Sequence, residues 1–205
     1  MTERSVFLVR HGEVENPRGV MYGRLPGFEL SRDGQRNVKG LAERIRSSGI
    51  VFTKAYSSPL ERAFQTAEIL GEVLGCEVEL TPEIIEIDVS FLTGKTKLEL
   101  AKIIIPHGFD IYGRYYTEKG VESAPNVMKR MRNFVDEKLK STQGNFAIVS
   151  HGDPLILLLW TYLYRDKRIP STLNLANNVD YIKKGKAIAI YFDEAGMFLR
   201  FNKFK

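Results

Sequence analysis

Two short apolar runs, Val6-Phe7-Leu8-Val9 and Phe146-Ala147-Ile148-Val149, each end within two residues in a histidine followed by glycine: Arg10-His11-Gly12 and Ser150-His151-Gly152. Runs of this length without polar alternation are the signal of strands buried on both faces, as in a parallel sheet covered by helices. In such sheets ligands gather beyond the carboxyl ends of the strands. Both imidazoles, one with an arginine beside it, are therefore expected at the same edge of one sheet. That combination suits an anionic ligand.

The rest of the chain supplies what such a sheet needs. A helix is expected from Ser31, with Val38, Leu41, Ala42 and Ile45 on one face. A short strand is expected at Lys54–Ser57. Ser58 as N-cap, Pro59 at the first helical position and Glu61 three residues after the cap then mark a helix start. That helix has Ala63, Ala67, Leu70 and Leu74 inward and Gly75 as its stop. Glu77–Leu80 reads as another short strand, and Val127, Met131, Phe134, Val135 and Leu139 mark a helix closed near Gly144. A helix begins at Asp153-Pro154, with Asp153 as N-cap, and Lys186–Phe192 with Met197–Phe201 read as a hairpin turning at residues 194–196. This alternation predicts an α/β fold: a single domain over residues 1–205, a three-layer α/β/α sandwich around a mostly parallel mixed sheet. Residues 81–122 and 165–186 resist the pattern. They are expected as long loops walling a ligand site, 81–122 as a substrate-site insertion.

Bulk properties narrow the class. At 205 residues, 43% of them hydrophobic, the chain suits one sizeable core. One cysteine, Cys76, excludes an internal disulfide, and no export signal opens the sequence, so a cytoplasmic location is expected. The run Leu155–Trp160 is too short to span a bilayer and reads as a core helix, so no membrane partner is expected. The net charge of +5 is spread along the chain without a nucleic-acid-binding signature, so no nucleic-acid partner is expected either. A cluster at Lys183, Lys184 and Lys186 reads as a solvated turn. A monomer or small homo-oligomer is expected.

The polar residues favour one chemistry. Arg10 beside His11 opposes a metal cation, and the three histidines lack metal-ligand spacing, so no metal site is expected. No nucleophile elbow supports a serine or cysteine triad. A neutral imidazole among arginines can instead attack a phosphoryl group, the guanidiniums neutralising its oxygens. A protonated second histidine would add a donor, and a proton source for the leaving oxygen is still required.

The segments Leu8–Glu13, Ser57–Ala67 (SSPLERAFQTA) and Val149–Gly152 (VSHG) resemble, in that order, the three signatures of the histidine phosphatase superfamily, in the branch carrying the Arg-His-Gly motif. The resemblance implies a phosphoglycerate mutase-like fold. It also implies a phosphohistidine formed on His11, a phosphoryl group held by Arg10, Arg62 and His151 with Gly152 beside it, and no metal. Arg62 would lie in the first turn of its helix, where the amino-terminal dipole favours an anion. The family's acid pattern is matched by Ile85–Gly94, placing Glu86 as general acid and base. Ser90 and Thr93 stand where that pattern has glycine and glutamate. Glu83, Asp88 and Asp153 are rival carboxylates. After strand one, Val14 and Asn16 depart from the family's spacing, so ligand contacts from that loop do not carry over.

Arg24 and Arg114 are expected as further substrate contacts, and Tyr112, Tyr115 and Tyr116 are equally suited to a lid or to packing. His107 reads as a surface histidine. A metal-independent phosphatase acting on a small phosphorylated substrate, with no cofactor, is the first reading. A phosphoglycerate mutase, primed by 2,3-bisphosphoglycerate, is the second; few cations in 95–122 disfavour it. A non-catalytic phospho-ligand binder is the third.

Overall fold

The computed structural model describes residues 3–164, 171 and 175–204. Six strands form one sheet: β1 (Arg4–Arg10), β2 (Phe52–Ser57), β3 (Glu77–Leu80), β4 (Asn145–Ser150), β5 (Ala187–Phe192) and β6 (Phe198–Phe204). Their spatial order is β3-β2-β4-β1-β5-β6. The β3–β2, β2–β4 and β4–β1 pairs are parallel, and β5 and β6 close the sheet antiparallel. The six named helices are α1 (Arg32–Ser47), α2 (Glu61–Leu74), α3 (Lys97–His107), α4 (Arg114–Glu118), α5 (Ala124–Ser141) and α6 (Gly152–Leu163).

Alternation along the strands divides the core in two. Phe7, Val9, Ala147 and Val149 point to one face, where Val38, Leu41 and Ile45 of α1 and Ala63, Ala67 and Leu70 of α2 cover them. Val6, Leu8, Phe146 and Ile148 point to the other, under Met131 and Val135 of α5 and Leu155–Leu159 of α6. The run at 155–159 is thus wholly buried between protein layers. Among the described residues, no helix is long and apolar enough to cross a membrane.

Three expectations are corrected. Residues 81–122 are not a loop: they carry α3, α4 and two short 3-10 turns, Pro82–Ile84 and Ser90–Leu92. Thr96 caps α3 through a reciprocal box with Glu99, a signal hidden by the prolines and glycines around it. Ser58 does not cap α2, whose N-cap is Leu60 in extended conformation, and Glu61 accepts instead from the Gly27 amide (2.8 and 3.0 Å). Asp153 does not cap α6, because His151 occupies that place and the aspartate falls in the first turn. Of the connection 165–186, residues 165–170 and 172–174 lie outside the described residues.

Candidate active site

Register brings the two histidines together. Arg10 pairs with Ser150 across β1 and β4, so the next residue of each parallel strand emerges side by side. The His11 amide donates to the Ser150 carbonyl (3.0 Å), and the two imidazole centroids stand 5.2 Å apart. The loop behind them is tied down on each side. Gly12 N donates to Thr66 Oγ1 (3.1 Å), and Gly185 N donates to the carbonyls of Arg10 and His11 (3.1 and 3.0 Å).

His11 is 1% exposed, and its Nδ1 lies 2.7 Å from the Gly12 carbonyl oxygen. A carbonyl only accepts, so Nδ1 carries the proton and Nε2 keeps a free lone pair. Burial first, then the charges of Arg62, Arg10 and Lys184, hold this imidazole well below the usual histidine range, against the pull of the Gly12 hydrogen bond. It is a neutral, oriented imidazole at pH 7. Lys184, expected as part of a solvated turn, is ion-paired with Glu13 beside it (2.6 Å).

The cations face the same point. Arg62 is fully buried, with its guanidinium 4.8 Å from the Tyr22 ring centroid and Nη2 donating to the Gly23 carbonyl (2.7 Å). Arg10 lies over Tyr181 (5.1 Å) and donates through Nη1 to the Ile182 carbonyl (3.0 Å). Arg10 Nε, Arg62 Nε and Nη1, and His151 Nδ1 are buried without a hydrogen-bond partner among the described residues. Buried donors without partners cost roughly 1–3 kcal/mol each, more when charged. Their gathering around His11 defines an anion cradle.

His151 differs from the conditional expectation that it is protonated. Burial, then His11, Arg62 and Arg10, push its pKa well below the ordinary value. Its Nε2 lies 2.8 Å from Ser58 Oγ, and that hydroxyl also accepts from Leu60 N (3.4 Å). A Ser58 hydroxyl donating to Nε2 leaves the ring proton on Nδ1, so a neutral His151 still offers one donor. Ser58 is thus a site residue, hidden in the sequence behind its resemblance to a helix cap.

Glu86 is on the same edge, with Oε2 3.8 Å from His151 Nδ1 and Oε1 accepting from the Ile87 amide (2.9 Å). Its side chain is 16% exposed. Burial, then the nearby charge of Asp153, raise its pKa to about 7, against the Ile87 hydrogen bond and the two arginines. Its rivals are each held by other partners. Glu83 is bound by Thr81 and Asp88 by Ser90 and Arg24. Asp153 accepts from Tyr112 (2.7 Å) and Tyr181 (2.6 Å), tying the connection between α3 and α4 and the segment before β5 to α6. Both phenols are held protonated by burial and by Asp153.

A cavity of about 420 Å³ opens from this edge. Arg10, Glu86, Asp153 and Tyr181 line its charged end, and Met21, Val89, Leu100 and Ile111 belong to its apolar wall. Two expected substrate contacts are corrected. Arg24 turns away to the Glu86 carbonyl (2.7 Å), Asp88 and Glu122. Arg114 is 91% exposed and paired with Glu118, a surface i,i+4 contact. Of the tyrosines, Tyr112 reaches the site, Tyr116 is buried with its hydroxyl on the Gly108 carbonyl, and Tyr115 stacks on His107 (3.7 Å).

The model for the histidine phosphatase superfamily, branch 1, matches residues 6–183. An uncharacterized protein of Mycobacterium tuberculosis is 42% identical over 93 residues, 45% of each chain. A probable phosphatase of Schizosaccharomyces pombe is 31% identical over 85% of this chain and 62% of its own length. The chain thus spans less than two thirds of these relatives. A 2,3-bisphosphoglycerate-dependent phosphoglycerate mutase of Thermoplasma acidophilum is 28% identical over 73% of this chain and 71% of its own. Among solved structures, Bacillus stearothermophilus YhfR superposes with a TM-score of 0.80 at 24% identity, covering 95% of this chain and 94% of that one. A mycobacterial glucosyl-3-phosphoglycerate phosphatase does so at 0.77 and 22%, covering 98% and 97%. At those identities the superpositions speak for the fold, and the family match carries the assignment. With its matched span running from β1 to the segment before β5, this chain belongs to branch 1 of the histidine phosphatase superfamily.

Proposed function

We propose that the protein is a metal-independent phosphatase that hydrolyses a small phosphomonoester through a phosphohistidine on His11. One observation carries this reading: the free Nε2 of His11, the unpartnered donors of Arg10, Arg62 and His151, and the raised carboxyl of Glu86 share one edge of the sheet. In the first step Nε2 bonds to phosphorus as the bond to the alcohol oxygen breaks, and protonated Glu86 gives its proton to that oxygen. The arginines and His151 balance the charge on the non-bridging oxygens. In the second step the Glu86 carboxylate takes a proton from water, whose oxygen displaces His11 and releases phosphate. Both groups return to their starting states.

The cavity wall supports hydrolysis over mutase chemistry. A bound phosphoglycerate keeps its carboxylate, which needs cations of its own. Among the described residues that line the cavity, Lys97 is the one cation beyond Arg10, beside Met21, Val89, Leu100 and Ile111. The test is a panel of phosphomonoesters in EDTA, followed by phosphorus NMR, with 3-phosphoglycerate and a trace of 2,3-bisphosphoglycerate in one arm. Free phosphate from wild type, and none from His11→Ala, is expected. Conversion to 2-phosphoglycerate without free phosphate would make it a mutase. Equal phosphate release by both proteins would end the catalytic reading and leave a phospho-ligand binder.

A further inference from the structure

Glu86 sits where the backbone has no regular structure, between the turns Pro82–Ile84 and Ser90–Leu92. Neither helix nor strand supplies the hydrogen bonds that such a segment needs when buried. Side chains from two distant elements supply them. Arg24, from the segment that walls the cavity after β1, donates through Nε to the Glu86 carbonyl (2.7 Å). Arg130, from α5, donates through Nη2 to the same oxygen (3.4 Å) and through Nη1 to the Glu83 carbonyl (2.7 Å).

Two guanidiniums converging on one carbonyl repel each other, and one carboxylate offsets that. Glu122 accepts from Arg24 Nη2 (3.0 Å), Arg130 Nε (2.8 Å) and Arg130 Nη2 (3.1 Å). The same residue brackets Asp88, its Oε2 accepting from the Asp88 amide (3.2 Å) and its own amide donating to the Asp88 carbonyl (2.8 Å). Its side chain is 16% exposed and that of Arg130 19%, so the network is more shielded than an ordinary surface pair.

We propose that Glu122, acting through Arg24 and Arg130, is a positioning residue for Glu86, and that it determines how well the enzyme cleaves esters of poorly leaving alcohols. This rests on the reading of Glu86 as general acid. A group that must lie within hydrogen-bond reach of the departing oxygen loses much of its effect when its backbone shifts by about 1 Å. The loss falls on alkoxide leaving groups, which need the proton, and spares 4-nitrophenolate, which does not.

The measurement is the single-turnover rate of His11 phosphorylation by 4-nitrophenyl phosphate and by 2-phenylethyl phosphate, in wild type, Glu86→Gln, Glu122→Gln and Arg24→Lys. For Glu122→Gln, a loss of about 10- to 100-fold on the alkyl ester is expected, with less than about a threefold loss on the aryl ester. Arg24→Lys, which keeps the charge at a more exposed position, is expected to show the same selectivity. It carries the test where Glu122→Gln does not fold. Equal losses on both esters, or none on either, would overturn the positioning role. Absence of leaving-group selectivity in Glu86→Gln itself would overturn the acid assignment and the positioning role with it. Selectivity in Glu86→Gln but in neither partner variant would remove the positioning role alone.

Discussion

Glu86→Gln should make the protein more stable and less active, with both effects confined to a defined pH range. Raising the carboxyl from 4.5 to about 7 disfavours its ionised form by about 3 kcal/mol in the folded chain. The folded state then holds a proton that the unfolded state has released. Stability is full below pH 4.5 and declines as pH rises through about 7, where the folded group also ionises. Glutamine keeps an oxygen for the Ile87 amide and never ionises. At pH 8 the variant should gain up to about 3 kcal/mol, worth roughly 6–12 °C in Tm for a chain of this size; at pH 4.5 the gain should vanish. Activity moves the other way. The kcat of an alkyl phosphate should fall about 10²- to 10⁴-fold. The wild-type profile of kcat/KM should decline above a pH near 7, and that limb should be absent from the variant. Scanning calorimetry at pH 4.5 and 8, with initial rates from pH 5 to 9, provides the comparison. Equal Tm values at pH 8, or an unchanged basic limb, would refute the claim that burial keeps Glu86 protonated for catalysis.

Three further outcomes follow from the geometry. Arg62→Met should keep the fold, since the side chain is fully buried beside Tyr22, but weaken vanadate inhibition by about 100-fold or more through loss of two charged donors. Gly152→Ala should lower kcat/KM by about tenfold: its Cβ would lie 2.2 Å from Tyr181 Oη and 2.9 Å from Arg10 Cζ, and Asp153 holds that tyrosine in place. Steady-state kinetics and vanadate titration read both. Arg114→Ala, at 91% exposure, should leave kcat, KM and Tm within error of wild type, and a raised KM would restore it as a substrate contact.

Much of the fold was legible because it depends on local signals. Strands β1 and β4 carry the uninterrupted apolar runs Val6–Val9 and Phe146–Val149, and α1 carries Ser31 as N-cap with Val38, Leu41, Ala42 and Ile45 buried at helical spacing. The two site histidines were legible for the same reason, since each follows its strand directly. What was illegible depends on contacts across the chain. Ser58 has every local attribute of a cap, yet His151, 93 residues away, takes its hydroxyl. Asp153 also looks like a cap, yet two tyrosines from different segments satisfy its oxygens before a backbone amide does. Arg24 lies in the segment 22–27 before the first helix, a position that suggested it could project toward the ligand pocket. Its partner Glu122 lies 98 positions further on, and no spacing rule connects them.

In the proposed mechanism one physical cause acts in opposite directions on the attacking imidazole and on the acid. In water an imidazole near 6.5 and a carboxyl near 4.5 are badly matched for this reaction: at pH 7 the imidazole is mostly neutral, but only about one carboxyl in 300 carries its proton. Burial disfavours whichever form is charged. It therefore pushes His11 down and Glu86 up, and about half of the Glu86 carboxyls are protonated at neutral pH while His11 remains free to attack. The arginines reinforce the shift in His11 and oppose the one in Glu86. Asp153, pinned by Tyr112 and Tyr181, is the negative charge that offsets them at the acid. Removing that charge should draw the basic limb of the pH profile below its wild-type position while leaving His11 nucleophilic. An Asp153→Asn variant whose basic limb stays in place would show that desolvation alone sets the acid.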